Sequence, residues 1–267
     1  MKIHKNVLLG IFVITTAFIC GCILNKDYDA VSTSTTILNN KCIGWGLKRA
    51  ENHAQPDLGS TNKALIEKYD GIAMGNKDSK QVYLTFDLGY EAGYTAKILD
   101  TLKANKVSAC FFITAHYLNT QPELVQRMID EGHIVGNHTV NHKSMPGLSE
   151  EEAAQEIKKL HTAVFEKTGY EMKYLRPPKG EYSEVILALA KKLGYTTVMW
   201  SLAYDDWDET NQNREEYGKE KIINNIHSGA VILLHATSRD NSNILDDCIK
   251  QVQKMGYRFK SLDQFEK

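Results

Sequence analysis

The sequence predicts an α/β protein built on a largely parallel sheet, either doubly wound or closed into a barrel. Three observations carry that prediction. From Gln81 onward, short runs of apolar and β-branched residues alternate with segments of helical periodicity, the pattern of repeated β–α units with short connections. Gly132, Gly169, Gly194 and Gly256 each close a helical pattern and are followed by His or Tyr, which suits a left-handed position feeding the next strand. Composition also suffices for a sizeable core: 267 residues, 42% apolar and 24% charged with only 5 Pro, exclude a disordered chain and a multi-span membrane protein. A formal net charge of −1 argues against nucleic acid as a partner held by bulk electrostatics.

The chain opens with Lys2, His4 and Lys5 ahead of an uncharged run from Val7 to Leu24. That run is long enough for a secretory signal and barely long enough to span a bilayer. Its end, Ile19-Cys20-Gly21-Cys22, looks like a bacterial lipobox, which would make Cys22 the first residue of a lipoprotein attached to the membrane by lipid. An uncleaved membrane anchor over residues 1–22 and plain secretion are the other readings, and all three place the body outside the cytoplasm. Residues 23–42 read as a tether and Gly44–Lys80 as an N-terminal extension with one helix over Thr61–Tyr69, ahead of a body over 81–267.

Within the body, strands are expected over Val82–Asp87, Ser108–Thr114, His133–Asn137, Lys173–Arg176, Thr196–Trp200, Ala230–His235 and Tyr257–Lys260. Helices are expected over Thr95–Asn105, Pro122–Glu131, Glu150–Lys167, Glu184–Leu193, Lys219–His227 and Asn243–Met255, the third opened by a capping box from Ser149 to Glu152. Cys42, Cys110 and Cys248 have no metal-ligand spacing. Cys110 reads as a small core residue, and an oxidising compartment does not require a Cys42–Cys248 disulfide.

In either architecture the chemistry belongs at the C-terminal ends of the strands, and the polar residues there form the informative pattern. The first body strand ends in Thr85-Phe86-Asp87-Leu88-Gly89-Tyr90-Glu91, and the third runs into Asn137-His138-Thr139-Val140-Asn141-His142. The fourth delivers Arg176-Pro177-Pro178-Lys179-Gly180, the fifth leads to Asp205-Asp206-Trp207, and the sixth ends in Leu233-Leu234-His235. Each has a dull explanation alone: a cap, a loop histidine, a structural ion pair. Five such groups, each ending a different strand, do not.

These motifs, in this order, resemble the polysaccharide deacetylase family, also called the NodB-homology domain or carbohydrate esterase family 4, over about Lys80 to Lys267. Thr-Phe-Asp-x-Gly-Tyr-Glu followed by Gly93-Tyr94-Thr95, with Trp45-Gly46 and His53-Ala54-Gln55-Pro56 upstream, is similar to the branch that makes muramic δ-lactam in spore cortex. The resemblance implies a distorted, partly open (β/α) barrel of about seven parallel strands with an N-terminal extension. It implies Asp87 as general base and His235 as general acid for hydrolysing an N-acetyl group, chemistry these side chains suit. Arg176 would lower the Asp87 pKa, with Asp206 orienting Arg176. The backbone N–H of Lys179 would meet the oxyanion, and Leu233 and Trp207 would wall the acetyl pocket and groove.

The resemblance further implies a divalent metal ion, zinc or another transition metal, on His138 and His142. The family's third ligand, an aspartate after the base, is here Leu88, which cannot ligate. Glu91, His53 or water are the candidates for that place, since two imidazoles fall short of the three protein ligands of a catalytic zinc site. Lys179 and Lys143 are candidate cations for a substrate carboxylate. The expected activity is de-N-acetylation of N-acetylmuramic acid in peptidoglycan glycan strands, functionally coupled to an amidase that trims the peptide first. A general N-acetylglucosamine deacetylase and a catalytically impaired glycan-binding lipoprotein, suggested by Leu88, are the alternatives.

Overall fold

The computed structural model describes residues 38–208 and 210–267; the export signal, the lipobox and the tether up to residue 37 lie outside the described residues. The chain runs β1 (Ile43–Gly44), α1 (Ser60–Lys68), β2 (Gln81–Leu88), α2 (Thr95–Asn105), β3 (Ala109–Ile113), α3 (Ala115–Thr120), α4 (Pro122–Asp130) and β4 (Ile134–Asn137). It continues through α5 (Glu150–Thr168), β5 (Tyr174–Leu175), β6 (Glu181–Tyr182), α6 (Glu184–Lys192), β7 (Thr196–Thr197), α7 (Glu215–Asn225), β8 (Ala230–His235), α8 (Arg239–Lys254) and β9 (Arg258–Phe259). Residues 38–267 form one unit, so the extension packs on the body.

Seven strands form one parallel sheet in the order β7-β5-β4-β3-β2-β8, with β9 beside the start of β2. Beyond β7 the chain reaches Leu202, which bridges in parallel to Ile232 of β8, so the sheet curls back on its own far edge. The result is the expected partly open barrel. Within it, β5 and β7 are only two residues each.

All eight residues of β2 are buried because both faces of this central strand are covered. Val82, Leu84, Phe86 and Leu88 pack in the layer beneath the helices, while Tyr83 packs inside the barrel with Cys110, Phe112 and Val231. The strand period of two puts Asp87 on the interior face with Tyr83. The interior is tight. A Cβ on Gly136 would come within 2.5 Å of the Phe112 ring, so only glycine lets β4 pass this close to β3.

Punctuation read from the sequence is realised. The four helix-closing glycines have φ of 77, 71, 82 and 88°, and the Ser149–Glu152 capping box makes both reciprocal bonds. Helix starts were less legible. α7 begins at Glu215 rather than Lys219, and α8 at Arg239 rather than Asn243, where the Ser238 hydroxyl accepts the Asn241 N–H. The six-residue α3 has no counterpart among the expected helices because so short a helix carries no periodicity, and its cap Thr114 falls at the end of the expected strand Ser108–Thr114. Cys42 is exposed, Cys110 and Cys248 are buried, and all three are free. No helix among the described residues is long and apolar enough to cross a membrane.

Candidate active site

The C-terminal ends of the strands surround an open cavity of about 1190 Å³. Asp87, His138, His142, Lys179, Trp207, Leu233 and His235 all line it. The residues expected to carry chemistry from five separate strand ends are therefore brought together, with two exceptions, the role of Asp206 and the place of Lys143.

Asp87, the penultimate residue of β2, lies directly beside His235 of β8 in the sheet register. Its Oδ1 accepts from Arg176 Nη1 at 2.7 Å, and its Oδ2 lies 3.5 Å from His138 Nε2. Burial alone would raise the carboxyl pKa, but the Arg176 guanidinium and the His138 and His235 imidazoles outweigh it and hold Asp87 below the ordinary carboxylate range. Arg176 is fully buried. It donates from Nε to the Val198 carbonyl at 3.0 Å and from Nη2 to that of Met199 at 3.3 Å, and its guanidinium sits 4.3 Å from the Phe112 ring centroid.

Asp206 does not orient Arg176, which corrects the expectation. Its Oδ1 instead accepts from His235 Nδ1 at 2.8 Å, and its Oδ2 accepts the His235 backbone N–H at 2.7 Å. The acceptors that Arg176 does meet are the Asp87 carboxylate and the carbonyls of Val198 and Met199, and Asp206 is not among them. Burial would lower the His235 pKa, but the Asp206 carboxylate overcomes this and raises it above the ordinary histidine value. With Nδ1–H given to Asp206, Nε2 is the ring nitrogen free to exchange a proton. Asn241 completes this wall by donating to Asp206 Oδ2 and to the His235 carbonyl. Sequence reasoning missed Asn241; its only signal was a position three residues after the cap Ser238.

The histidine loop is built by two polar straps. Asn137 is fully buried, donating to the Ile157 carbonyl and accepting the Thr139 N–H. Glu156 of α5 accepts from both the backbone and the amide of Asn141 at 2.8 and 2.6 Å. These contacts hold Thr139 and His142 at φ of 69 and 54°, left-handed conformations that branched and bulky side chains avoid. His138 Nδ1 donates to the Arg176 carbonyl at 2.8 Å, leaving the Nε2 lone pair available, and burial pushes its pKa down to about 4. The His142 ring stands edge-on at 4.8 Å, and burial lowers its pKa as well.

The donor set is short of a closed metal site. Among the described residues no group of three or more His, Cys, Asp or Glu side chains could hold an ion. Leu88 packs in the helix-side core, on the opposite face of β2 from Asp87. Glu91 is not available: its oxygens accept from the Gly93 and Thr95 backbones and the Tyr117 hydroxyl. His53 bonds the Ile226 carbonyl and lies away from the cavity lining. His138, with its Nε2 lone pair available, and the neighbouring His142 imidazole suit a ligand role, but the described residues do not complete a three-ligand site. Lys143 is the second correction, since it is exposed and does not line the cavity, whereas Lys179 does.

A family model described as polysaccharide deacetylase matches residues 74–198. The chain is 46% identical over 231 residues to the peptidoglycan-N-acetylmuramic acid deacetylase PdaA of Bacillus subtilis, covering 85% of this chain and 88% of that protein. The solved structure of Bacillus subtilis PdaA, a family 4 carbohydrate esterase, matches with a TM-score of 0.83 at 45% identity, covering 85% of this chain and 98% of that one. A peptidoglycan-N-acetylglucosamine deacetylase of Bacillus cereus is 34% identical over 211 residues, covering 77% of this chain and 76% of that protein.

Proposed function

The chain belongs to the polysaccharide deacetylase family, carbohydrate esterase family 4, and as a hydrolase of that family we propose that it removes the N-acetyl group of N-acetylmuramic acid in peptidoglycan. Asp87, ionised at neutral pH, accepts a proton from the attacking water as general base. The tetrahedral oxyanion is met by the backbone N–H of Lys179. His235, poised by Asp206, protonates the departing amine from Nε2. Leu233 and Trp207 wall the acetyl and sugar groups.

The observation that carries the choice of sugar is Lys179, a cation on the wall of the cavity that also holds Asp87 and His235. Muramic acid differs from glucosamine by its lactyl ether, and once the peptide has been removed by an amidase that group is a carboxylate. The likeness to a relative named for N-acetylmuramic acid supports the same reading. The freed amine and the lactyl carboxyl then close to muramic δ-lactam, the chemistry of spore cortex. The signal-like run ahead of Cys22 supports export, with attachment by lipid or anchor. A divalent ion at this site would have His138 and His142 as protein ligands and water or substrate for the rest.

The test compares acetate release from peptide-free muramyl glycan and from chitooligosaccharide. A partly exposed charge pair contributes about 0.2–1 kcal/mol and a desolvated one several-fold more, so the wild type should prefer the muramyl glycan by a few-fold to about a hundred-fold. Lys179→Met should erase that preference while leaving the rate on neutral oligomers nearly unchanged. Equal loss on both glycans would point to the N-acetylglucosamine deacetylase reading instead.

A further inference from the structure

The extension ahead of β2 contributes none of the residues lining the cavity, yet it grips the loops that do. β1 pairs antiparallel with β6, with Ile43 opposite Tyr182 and Gly44 opposite Glu181. The next residue, Trp45, donates its backbone N–H to the Gly180 carbonyl at 2.7 Å and its indole Nε1–H to the Trp200 carbonyl at 2.9 Å. Arg49 Nη2 donates to the Ala203 carbonyl at 2.9 Å. Gly180, Trp200 and Ala203 all line the cavity.

The held segment is under conformational demand. Lys179 and Gly180 are successive left-handed residues, with φ of 60 and 65°, and a side-chain-bearing residue enters that region reluctantly. A Cβ on Gly180 would sit 2.8 Å from the Trp200 ring and 3.3 Å from Trp45 Cβ, so the turn is enclosed between the two tryptophans. Their rings lie 6.3 Å apart, edge to face. The Trp200 ring also lies 5.7 Å from the Arg176 guanidinium that pairs with Asp87. One residue of the extension thus connects the turn bearing the Lys179 amide to the loop that follows β7.

We infer that Trp45 is a positioning residue for deacetylation, clamping the left-handed Lys179–Gly180 turn against Trp200 so that the Lys179 N–H and ammonium stay aimed at the reacting sugar. The inference rests on the deacetylase reading of the cavity and uses the Lys179 selectivity as one of its readouts. A misplacement of about 1 Å in such a group can cost on the order of a hundred-fold in rate, with little effect on substrate affinity where the group acts on the transition state. A residue that merely covered the core beneath it would lower stability and leave the chemistry intact.

The experiment uses Trp45→Phe, which keeps the ring and the backbone bond but loses the indole N–H, and Trp45→Ala, which loses both ring and indole bond. For each, kcat and KM for acetate release are measured on muramyl glycan and chitooligosaccharide beside the melting temperature. Trp45→Phe should lower kcat about ten-fold with KM within about two-fold and folding retained. Trp45→Ala should go further and collapse the muramyl preference to that of Lys179→Met, with no additional loss of preference in the double variant, the signature of two residues acting through one turn. Unchanged kcat in both variants, or additive losses of preference in the double variant, would overturn the inference. Should Trp45→Ala fail to fold, Trp45→Phe alone decides. A wild type that releases no acetate from either glycan overturns the deacetylase reading and this inference together, whereas full activity in the Trp45 variants overturns only the inference.

Discussion

On one wall of the cavity a buried carboxylate, Asp87, is paired with Arg176; on the other, Asp206 is paired with His235. Both are hydrogen-bonded at close to ideal distances and both sit at strand or loop ends near the same open space. The partner decides what each becomes. A guanidinium is a permanent cation, so it fixes Asp87 as an anion and leaves it only to accept. An imidazole titrates, so the Asp206 carboxylate, by accepting from Nδ1–H, helps His235 keep a proton that burial would otherwise remove. Pushing one pKa down and the other up across a few ångströms separates a base from an acid at a single pH.

The largest effect should come from removing the acceptor. Asp87→Asn keeps the shape but has no basic oxygen, and kcat for acetate release should fall by about 10²–10⁴-fold while glycan binding and the melting temperature hold. Near-normal turnover in that variant would remove Asp87 from the base role and dissolve the contrast between the walls.

Arg176→Met probes the same wall through stability. Losing the partner of a buried carboxylate costs about 3–5 kcal/mol. The pH dependence carries a sign. In the wild type the depressed Asp87 pKa stabilises the fold above the unfolded value and this is lost as pH falls through the folded value. In Arg176→Met burial dominates and raises that pKa, so stability is lost as pH rises. The gap between the two melting curves should therefore widen from acidic to neutral pH, and a constant gap would mean that Arg176 acts by packing alone.

Asp206→Asn should sharpen the other wall. Wild-type kcat/KM should fall as pH rises through the raised His235 pKa. Without the carboxylate, burial pulls that pKa below the ordinary value, and the alkaline limb should move to lower pH with about a ten-fold loss at neutral pH, one pKa unit being a factor of ten. A limb that stays in place would assign the acid elsewhere. The smallest effect is expected at the histidine loop: His142→Ala should reduce the content of divalent metal measured by elemental analysis, and chelation should slow the wild type. Metal-free wild type with an unaltered rate would leave the two imidazoles as hydrogen-bonding groups for substrate.

The strand-end motifs were legible because each is local. Asp87, His138, Arg176 and His235 each follow an apolar run, and the strand period alone puts Asp87 and Leu88 on opposite faces. The same locality revealed the capping box at Ser149 and the left-handed glycines, since caps and turns are decided within a few residues. α3 escaped because one turn has no period, and Asn241 because an amide in a first helical turn looks like any other cap neighbour.

What the sequence determined by itself is which residues reach the rim of the sheet, for that depends only on period, punctuation and order along the chain. Which of them meet was decided by the curl of the sheet. Asp206 lies 30 residues from Arg176 and 29 from His235 along the chain, so no spacing rule could have chosen between them. The choice fell to β8 when Leu202 bridged to Ile232 and carried the loop that bears Asp206 onto that strand, while Arg176 turned inward to carbonyls of the chain after β7. Lys143 is left outside the cavity and Lys179 lies on its wall. Pairings of this kind follow from distances across a folded sheet, and a buried polar group takes whichever partner the fold brings within reach because leaving it unpaired costs more than any local preference is worth.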